Sequence, residues 1–245
     1  TGNCYFNPYQ FRDTTFIRYG VVDSWRWDFG DDTTNADTSN LKNPTYLYGA
    51  PSTKNISLVV TSCKGCIDSL QKSLSVNDRP LIQLPFKDTL ICSIDTLAIP
   101  VGNTGVFSWQ PNKNIIGANT AMPLVFPKDT TRYIVTVNDK GCINSDSVTV
   151  NVLPFIKVNA GNDSIIWTTD AIRLHPVSQA LGYQWTSSSG EQVANEKYPL
   201  VKPLVNTQYY VTANLGKCQH RDTVIIKVVS YPVAAAGPDA AICFG

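Results

Sequence analysis

The chain is poor in the residues that carry out catalysis and in those that build helices. It has two glutamates, Glu191 and Glu196, against seventeen aspartates, together with one methionine and two histidines, His175 and His220. Aspartate suits turns and strand edges, whereas glutamate suits helix interiors, and no long Ala/Leu/Glu/Lys stretch is present. That balance points to an all-β protein. Two isolated histidines leave no Ser-His-Asp or Cys-His arrangement, and there is no Gly-rich phosphate loop or His-Glu-x-x-His motif. The glutamates share one loop-like stretch and read as solvated. The chain is therefore expected not to be an enzyme.

Charge is scarce as well. Charged residues make up 16% of the chain, and 20 basic residues oppose 19 acidic ones for a net charge of +1. No basic run exists, so a nucleic-acid partner or an anionic membrane surface is not expected. No apolar stretch is long enough to cross a membrane as a helix. Thr1 opens directly in polar, strand-like sequence with no signal-peptide pattern, and the last residues stop in mid-pattern. Both ends read as interrupted.

What the chain does have is a repeat. Cys66, Cys142 and Cys218 are spaced 76 residues apart, and Trp109 and Trp185 keep the same interval. After each cysteine an alternating strand follows: Val148, Val150 and Val152 match Val224, Ile226 and Val228, then Lys72, Leu74 and Val76. Before the cysteines, Tyr133–Val137 matches Tyr209–Ala213. Two such strands around a glycine-containing turn form a β-hairpin. Short alternating strands at this density, with a tryptophan placed to plug the core, read as tandem β-sandwiches. Asp78-Arg79-Pro80, Val152-Leu153-Pro154 and Ser230-Tyr231-Pro232 form short, proline-stiffened joints. The expected units are 1–78, 79–153 and 154–230, with 231–245 the first strand of a truncated fourth repeat.

Seven cysteines at strand-like spacing point to disulfides and an oxidising compartment. Cys92, Trp109 and Cys142 resemble the Cys…Trp…Cys order of an immunoglobulin-like domain. That resemblance implies a Cys92–Cys142 bond closing a loop of about 50 residues, worth about 4 kcal/mol in the chain-entropy model. Cys4 is expected to pair with Cys66, with Cys63 as the alternative. Trp167 stands where Cys92 stood one repeat earlier, so Cys218 is expected to have no partner within its own repeat. Cys63-Lys64-Gly65-Cys66 also fits a redox or metal pair, but no further ligands accompany it.

Trp25-Arg26-Trp27-Asp28-Phe29-Gly30-Asp31-Asp32 resembles the Trp-Asp-Phe-Gly-Asp-Gly core of PKD (polycystic-kidney-disease) domains. Asn43-Pro44-Thr45-Tyr46 is similar to the Asn-Pro…Tyr element of that family. Asp32 departs from the final glycine of the motif. The later units, with Ala160-Gly161-Asn162-Asp163 and Asp129-Thr130-Thr131-Arg132-Tyr133, resemble the tandem Ig-like repeats of large secreted Bacteroidota proteins, gliding adhesins and surface filaments among them. The resemblance implies PKD-type and Ig-like sandwiches arranged end to end. It also implies an extracellular, cell-surface location.

Asp28, Asp31 and Asp32 are candidate Ca²⁺ ligands, since hard oxygens clustered in a turn suit that ion; local backbone hydrogen bonds are the plainer role. No other cofactor is expected. A second pattern is Asp followed by Ser or Thr and then Thr or an aliphatic residue, found nine times where composition gives roughly one or two. It is similar to a Bacteroidota O-glycosylation acceptor. That makes Thr14, Thr33, Ser69, Thr89, Thr96, Thr130, Ser147, Ser164 and Thr223 candidate glycan sites. The alternative is that Asp-Thr-aliphatic simply begins strands.

The expected function is a stiff, non-catalytic stalk or filament body, about 100 Å long for three sandwiches in series. Its partners would be neighbouring repeats of the same protein or filament, with a surface polysaccharide or protein as ligand. The alternative is an accessory substrate-binding module of a secreted multidomain hydrolase.

Overall fold

A computed structural model of the chain describes residues 4–235 and 237. Among these, every regular element is a β-strand. The first repeat contains β1 (Tyr9–Gln10), β2 (Val22–Asp28), β3 (Thr38–Ser39), β4 (Thr45–Tyr46), β5 (Ser52–Ser62) and β6 (Ile67–Val76). The second holds β7 (Asp88–Cys92), β8 (Leu97–Ala98), β9 (Val106–Gln110), β10 (Ile115–Ile116), β11 (Leu124–Val125), β12 (Thr131–Asp139) and β13 (Cys142–Leu153). The third holds β14 (Val158–Asn159), β15 (Ser164–Trp167), β16 (Ile172–Arg173), β17 (Val177–Ser178), β18 (Gly182–Ser187), β19 (Leu200–Val201), β20 (Thr207–Leu215) and β21 (Cys218–Val229).

Each repeat is built on one four-stranded sheet, ordered β3-β2-β5-β6, β7-β13-β12-β9 and β15-β21-β20-β18, with short strands forming the opposing layer. Period-2 patterning sets the inner face. In β12, Tyr133, Val135 and Val137 are fully buried while Arg132 and Ile134 point outward. In β20, Tyr209, Val211 and Ala213 repeat the pattern. The long hairpins turn tightly: Lys140 and Gly141 both have positive φ (51° and 84°), the backbone that a two-residue hairpin loop demands.

The strand that opens a repeat lies parallel to the strand that closes it. In the third repeat β15 pairs in parallel with β21, bringing Trp167 opposite Val229. In the second, Thr149 N–H donates to the Lys87 carbonyl and Ser93 N–H to that of Leu153. In the first, a single parallel bridge joins Cys4 to Asn77.

The chain forms two compact units. One comprises Thr1–Asp88, Leu97–Val125 and Arg132–Thr149, and the other Thr89–Thr96, Phe126–Thr131 and Val150–Gly245. Their boundary cuts through β7, β12 and β13 and does not follow the proline joints. The reason lies in the core of the second unit, where Cys92 packs with Trp185, Tyr209, Val211 and Ile226, flanked by Leu90 and Leu153. The first unit has an aromatic core in its PKD-like part: Tyr9, Trp27, Phe29 and Tyr48 with Ile56, Leu58, Val60 and Val76. Of the expected fourth-repeat strand, Tyr231–Ala235 carry no regular structure and most of the rest lies outside the described residues.

Trp109 and Trp185 sit in the core as expected, and each donates its indole N–H to a backbone carbonyl, of Thr120 (3.1 Å) and Glu196 (3.0 Å) respectively. Trp109→Ala therefore removes a fully buried ring and a hydrogen bond. The expected cost is about 3–5 kcal/mol, read as a lower urea midpoint at unchanged slope.

Candidate functional site

Three groups of side chains stand out: the carboxylate turn of the first repeat, the cysteines, and the aspartates that precede strands. In the turn, Gly30 takes a left-handed conformation (φ 63°), and a Cβ there would collide with the backbone of Asn55. This geometry directs Asp31 inward. Its Oδ1 accepts from Lys54 Nζ at 2.9 Å and from Thr33 Oγ1 at 2.8 Å, and its Oδ2 accepts from Tyr46 OH at 3.1 Å. Both ion-pair partners are almost completely buried. Asp28 caps the Gly30 N–H (2.9 Å), Asp37 caps the Asp31 N–H (2.8 Å), and Asp32 points to solvent.

The expected calcium set is corrected here. Asp28, Asp31 and Asp32 do not converge, and an ammonium already neutralises the only buried carboxylate of the three. Among the described residues no group of three His, Cys, Asp or Glu is arranged to hold a metal. His220 accepts from the Val158 N–H (3.2 Å), and His175 packs against Tyr198. Burial alone pushes the Asp31 carboxyl up, but the bonds from Lys54, Thr33 and Tyr46 outweigh it and hold the group at about 2. Burial, and then Asp31 itself, push Tyr46 up to about 12.

The disulfides differ from those expected. Cys4 bonds to Cys142 (Cα–Cα 5.5 Å) within the first unit, and Cys92 bonds to Cys218 (6.0 Å) within the second. The pairs Cys92–Cys142 and Cys4–Cys66 are not formed, and Cys63 and Cys66 are exposed free thiols. The parallel opening strand explains the correction. It places Cys92 beside Leu153, eleven residues along β13 from Cys142, or ~36 Å at strand rise, where a disulfide needs Cα atoms under about 7 Å apart. Cys4 beside Asn77 is equally remote from Cys66. Each bond instead joins the opening strand of one repeat to the hairpin of the next. The sequence separations are 138 and 126 residues, so the chain-entropy model assigns each about 5 kcal/mol. Asp95 assists the second bond: its Oδ1 accepts from the Lys217 N–H (2.8 Å) and its Oδ2 from the Cys92 N–H (3.0 Å).

The Asp-Ser/Thr triplets hold their aspartates in structural work that the sequence pattern did not reveal. Asp163 accepts from the Ile225 N–H and Asp222 from the Ala160 N–H, both at 2.8 Å, pinning adjoining segments. Asp13 accepts from Trp25 Nε1 (2.8 Å), and Asp146 pairs with Lys87. Of the hydroxyl residues, Thr14, Thr33, Ser69, Thr96, Thr130 and Thr223 are exposed, while Thr89, Ser147 and Ser164 are half-buried. Ser147 accepts from Arg132, and Thr130 from the Val152 N–H.

The first repeat also carries an open cleft of about 800 Å³ between residues 9–16 and the free side of β6, lined by Tyr9, Phe11, Phe16, Trp27 and Leu70. Among the described residues, the buried Tyr9 OH and Trp27 Nε1 have no hydrogen-bond partner.

These features define a protein of tandem Ig-like β-sandwiches. Within it, residues 13–77 match the PKD domain family. No curated protein sequence matches the chain. Among solved structures, extracellular domains 3–5 of Drosophila OTK are 9% identical, covering 91% of this chain and 92% of that one, with a TM-score of 0.34. The titin I-band fragment I67–I69 is 11% identical over 91% and 92%, with a TM-score of 0.37. Sidekick-1 immunoglobulin domains 1–5 are 12% identical over 85% and 52%, with a TM-score of 0.38.

Three outcomes test the site. Peptide mapping without reduction should return Cys4 linked to Cys142 and Cys92 linked to Cys218. For Asp31, the folded carboxyl lies below its ordinary value of 3.8, so its contribution is full above about pH 4 and fades as pH falls towards 2. The loss should total about 2 kcal/mol, read as a falling urea midpoint of the first repeat. Asp31→Asn should leave Lys54 buried and uncompensated, at a cost of about 3–5 kcal/mol.

Proposed function

We propose that the chain is a non-catalytic, extracellular repeat segment that serves as a stiff stalk or filament body of a cell-surface protein. The cross-repeat disulfides carry this reading. Each staple runs from the opening strand of one repeat into the hairpin of the next, a connectivity that does nothing for an isolated sandwich but resists separation of neighbours. We take the repeats as 1–78, 79–153 and 154–230, with 231–245 opening a fourth. The PKD-like turn and the later Ala-Gly-x-Asp elements favour a secreted Bacteroidota surface protein of gliding-adhesin or filament type. Its partners are then neighbouring repeats and a surface polysaccharide or protein. Disulfides also favour an oxidising, extracellular location.

Small-angle scattering tests the stalk. Three sandwiches in series span about 100 Å, for a radius of gyration of about 30 Å, whereas a compact globule of this length has one of about 18 Å. The compact value would end the stalk reading. Glycans belong to the same proposal, since six of the nine candidate hydroxyl residues are exposed. Intact mass of protein from its own host should exceed the polypeptide mass, and a bare mass would remove the glycans.

The cleft beside Trp27 favours a second reading, an accessory module that binds substrate next to a catalytic domain. A soluble oligosaccharide that quenches the fluorescence of Trp27, and fails to do so after Trp27→Phe, would support that reading over the stalk.

A further inference from the structure

Three backbone contacts put the repeats in a common register. The N–H groups of Phe11, Ile99 and Leu174 donate to the carbonyls of Pro44 (2.9 Å), Pro123 (3.1 Å) and Pro199 (2.9 Å). Thr14 and Thr15 are therefore the counterparts of Gly102 and Asn103, and of Val177 and Ser178. On the closing strands, the 76-residue spacing of Cys66, Cys142 and Cys218 makes Asp68 the counterpart of Asn144 and His220, and Leu70 that of Asp146 and Asp222. The second and third repeats each lay an extended segment between these two sets. In the second, Gly102 N–H donates to the Gln83 carbonyl (3.3 Å), Asn103 Nδ2 to that of Leu81 and Asn144 Nδ2 to that of Pro80. Pro80, Ile82 and Leu84 turn inward, whereas Leu81 and Gln83 are exposed. In the third, β14 pairs with β17 and Ser178 Oγ donates to the Lys157 carbonyl. The N–H groups of Val158 and Ala160 donate to His220 Nδ1 (3.2 Å) and Asp222 Oδ2 (2.8 Å). Ile156, Val158 and Ala160 are buried.

In the first repeat the same slot is the open cleft of about 800 Å³. Thr14 and Thr15 line one side, Asp68, Leu70, Lys72 and Leu74 of β6 the other, and Trp27, Ile56 and Leu58 the floor. The β6 side from Asp68 to Leu74 measures ~20 Å at strand rise, the length of about six extended residues. β6 is the end strand of its sheet, and such an edge offers main-chain groups to an incoming strand. Leu70 is 67% exposed, and Phe16 beside it is 88% exposed. Tyr9 and Trp27, 5% and 6% exposed, also line the cleft, and their OH and Nε1 donors have no partner among the described residues. A peptide strand carries the carbonyl acceptors that such donors lack. The charge of the slot differs from that of its counterparts. Lys72 stands where Val148 and Val224 are buried, and among the described residues neither Lys72 nor Arg12 forms an ion pair. In the third repeat the laid segment ends at Asp163, which accepts from the N–H of Ile225, the counterpart of Ser73 next to Lys72.

We propose that the cleft of the first repeat binds an extended peptide strand of a partner protein, with aliphatic side chains at alternate positions and an acidic residue that meets Lys72. The strand runs along Thr14 and Thr15 as β14 runs along β17, and its aliphatic side chains cover Trp27, Leu58 and Leu70. This is strand addition, in which main-chain hydrogen bonds give affinity and alternate side-chain positions give selectivity. A second copy of this chain is not the donor, because its segments of this pattern, 80–84 and 156–160, are already laid into their own repeats. A saccharide lacks the alternating apolar groups that both counterpart slots receive. The inference goes beyond the stalk reading and does not rest on it.

The test titrates the 245-residue chain with a synthetic peptide of the sequence Phe155–Asp163, which carries Ile156, Val158, Ala160 and Asp163 in the required pattern. Calorimetry should show saturable binding of one peptide per chain, and amide hydrogen exchange should slow at Thr14, Thr15 and Asp68–Leu74. Val158→Asp in the peptide, or Leu70→Arg in the chain, should weaken binding by about tenfold or more. Leu70 is exposed, so that variant should keep its fold, checked by the Cys4–Cys142 peptide. Lys72→Glu should weaken the original peptide and restore binding to one with Asp163→Lys. No heat of binding, binding without protection along β6, or affinity indifferent to Leu70→Arg would overturn the proposal. So would a peptide-free dimer that already protects these amides, or a soluble oligosaccharide that displaces the peptide. A compact scattering profile bears on the stalk alone and leaves the strand site standing.

Discussion

Parallel pairing between the strand that opens a repeat and the strand that closes it governs most of what is distinctive here. A parallel partner must run in the same direction, so the end of the opening strand lies at the far end of the closing strand, away from that strand's hairpin. Cys92 beside Leu153 and Trp167 beside Val229 both follow from this register. A cysteine at that position cannot reach its own hairpin and is delivered to the hairpin of the next repeat. The same constraint brings Cys92 into the core built around Trp185 and Tyr209, so that compactness in the chain does not stop at the proline joints.

Aspartate is the second recurring device. Asp163, Asp222 and Asp95 each accept a backbone N–H from a distant segment. Asp31 reaches inward to a buried lysine. A short carboxylate with two acceptor oxygens can satisfy backbone donors where short strands leave them unpaired, and it does so with little side-chain entropy to lose. This explains why the chain uses aspartate almost to the exclusion of glutamate, whose extra methylene would overreach these positions. It also gives the Asp-Ser/Thr pattern a structural origin alongside any modification of the neighbouring hydroxyls.

The buried pair between Asp31 and Lys54 shows how local motif and tertiary context divide the work. The turn around Gly30 is dictated locally, because its positive φ of 63° is a backbone conformation that glycine adopts without steric cost. The identity of the cation is not. Lys54 lies 23 residues further on, at an inward-facing position of β5, and nothing in its neighbourhood of sequence marks it as the partner of a carboxylate. A cluster of aspartates read alone therefore suggests a metal site, whereas the fold supplies an ammonium.

The all-β class, the hairpins, the tryptophan plugs and the PKD-like turn were legible in the sequence, because each depends on alternation, spacing or turn chemistry within some thirty residues. Trp109 and Tyr133 occupy the buried positions that their periodicity assigns. Which cysteine meets which was not legible. Two residues such as Cys92 and Cys142 can be 50 apart in sequence and be held at opposite ends of β13, one on it and one on its neighbour, while two others are 138 apart and bonded, and only the direction of strand pairing separates those cases. That direction comes from packing between non-adjacent strands, so the tertiary structure alone decided the staples, the partner of Asp31 and the exposure of Cys66.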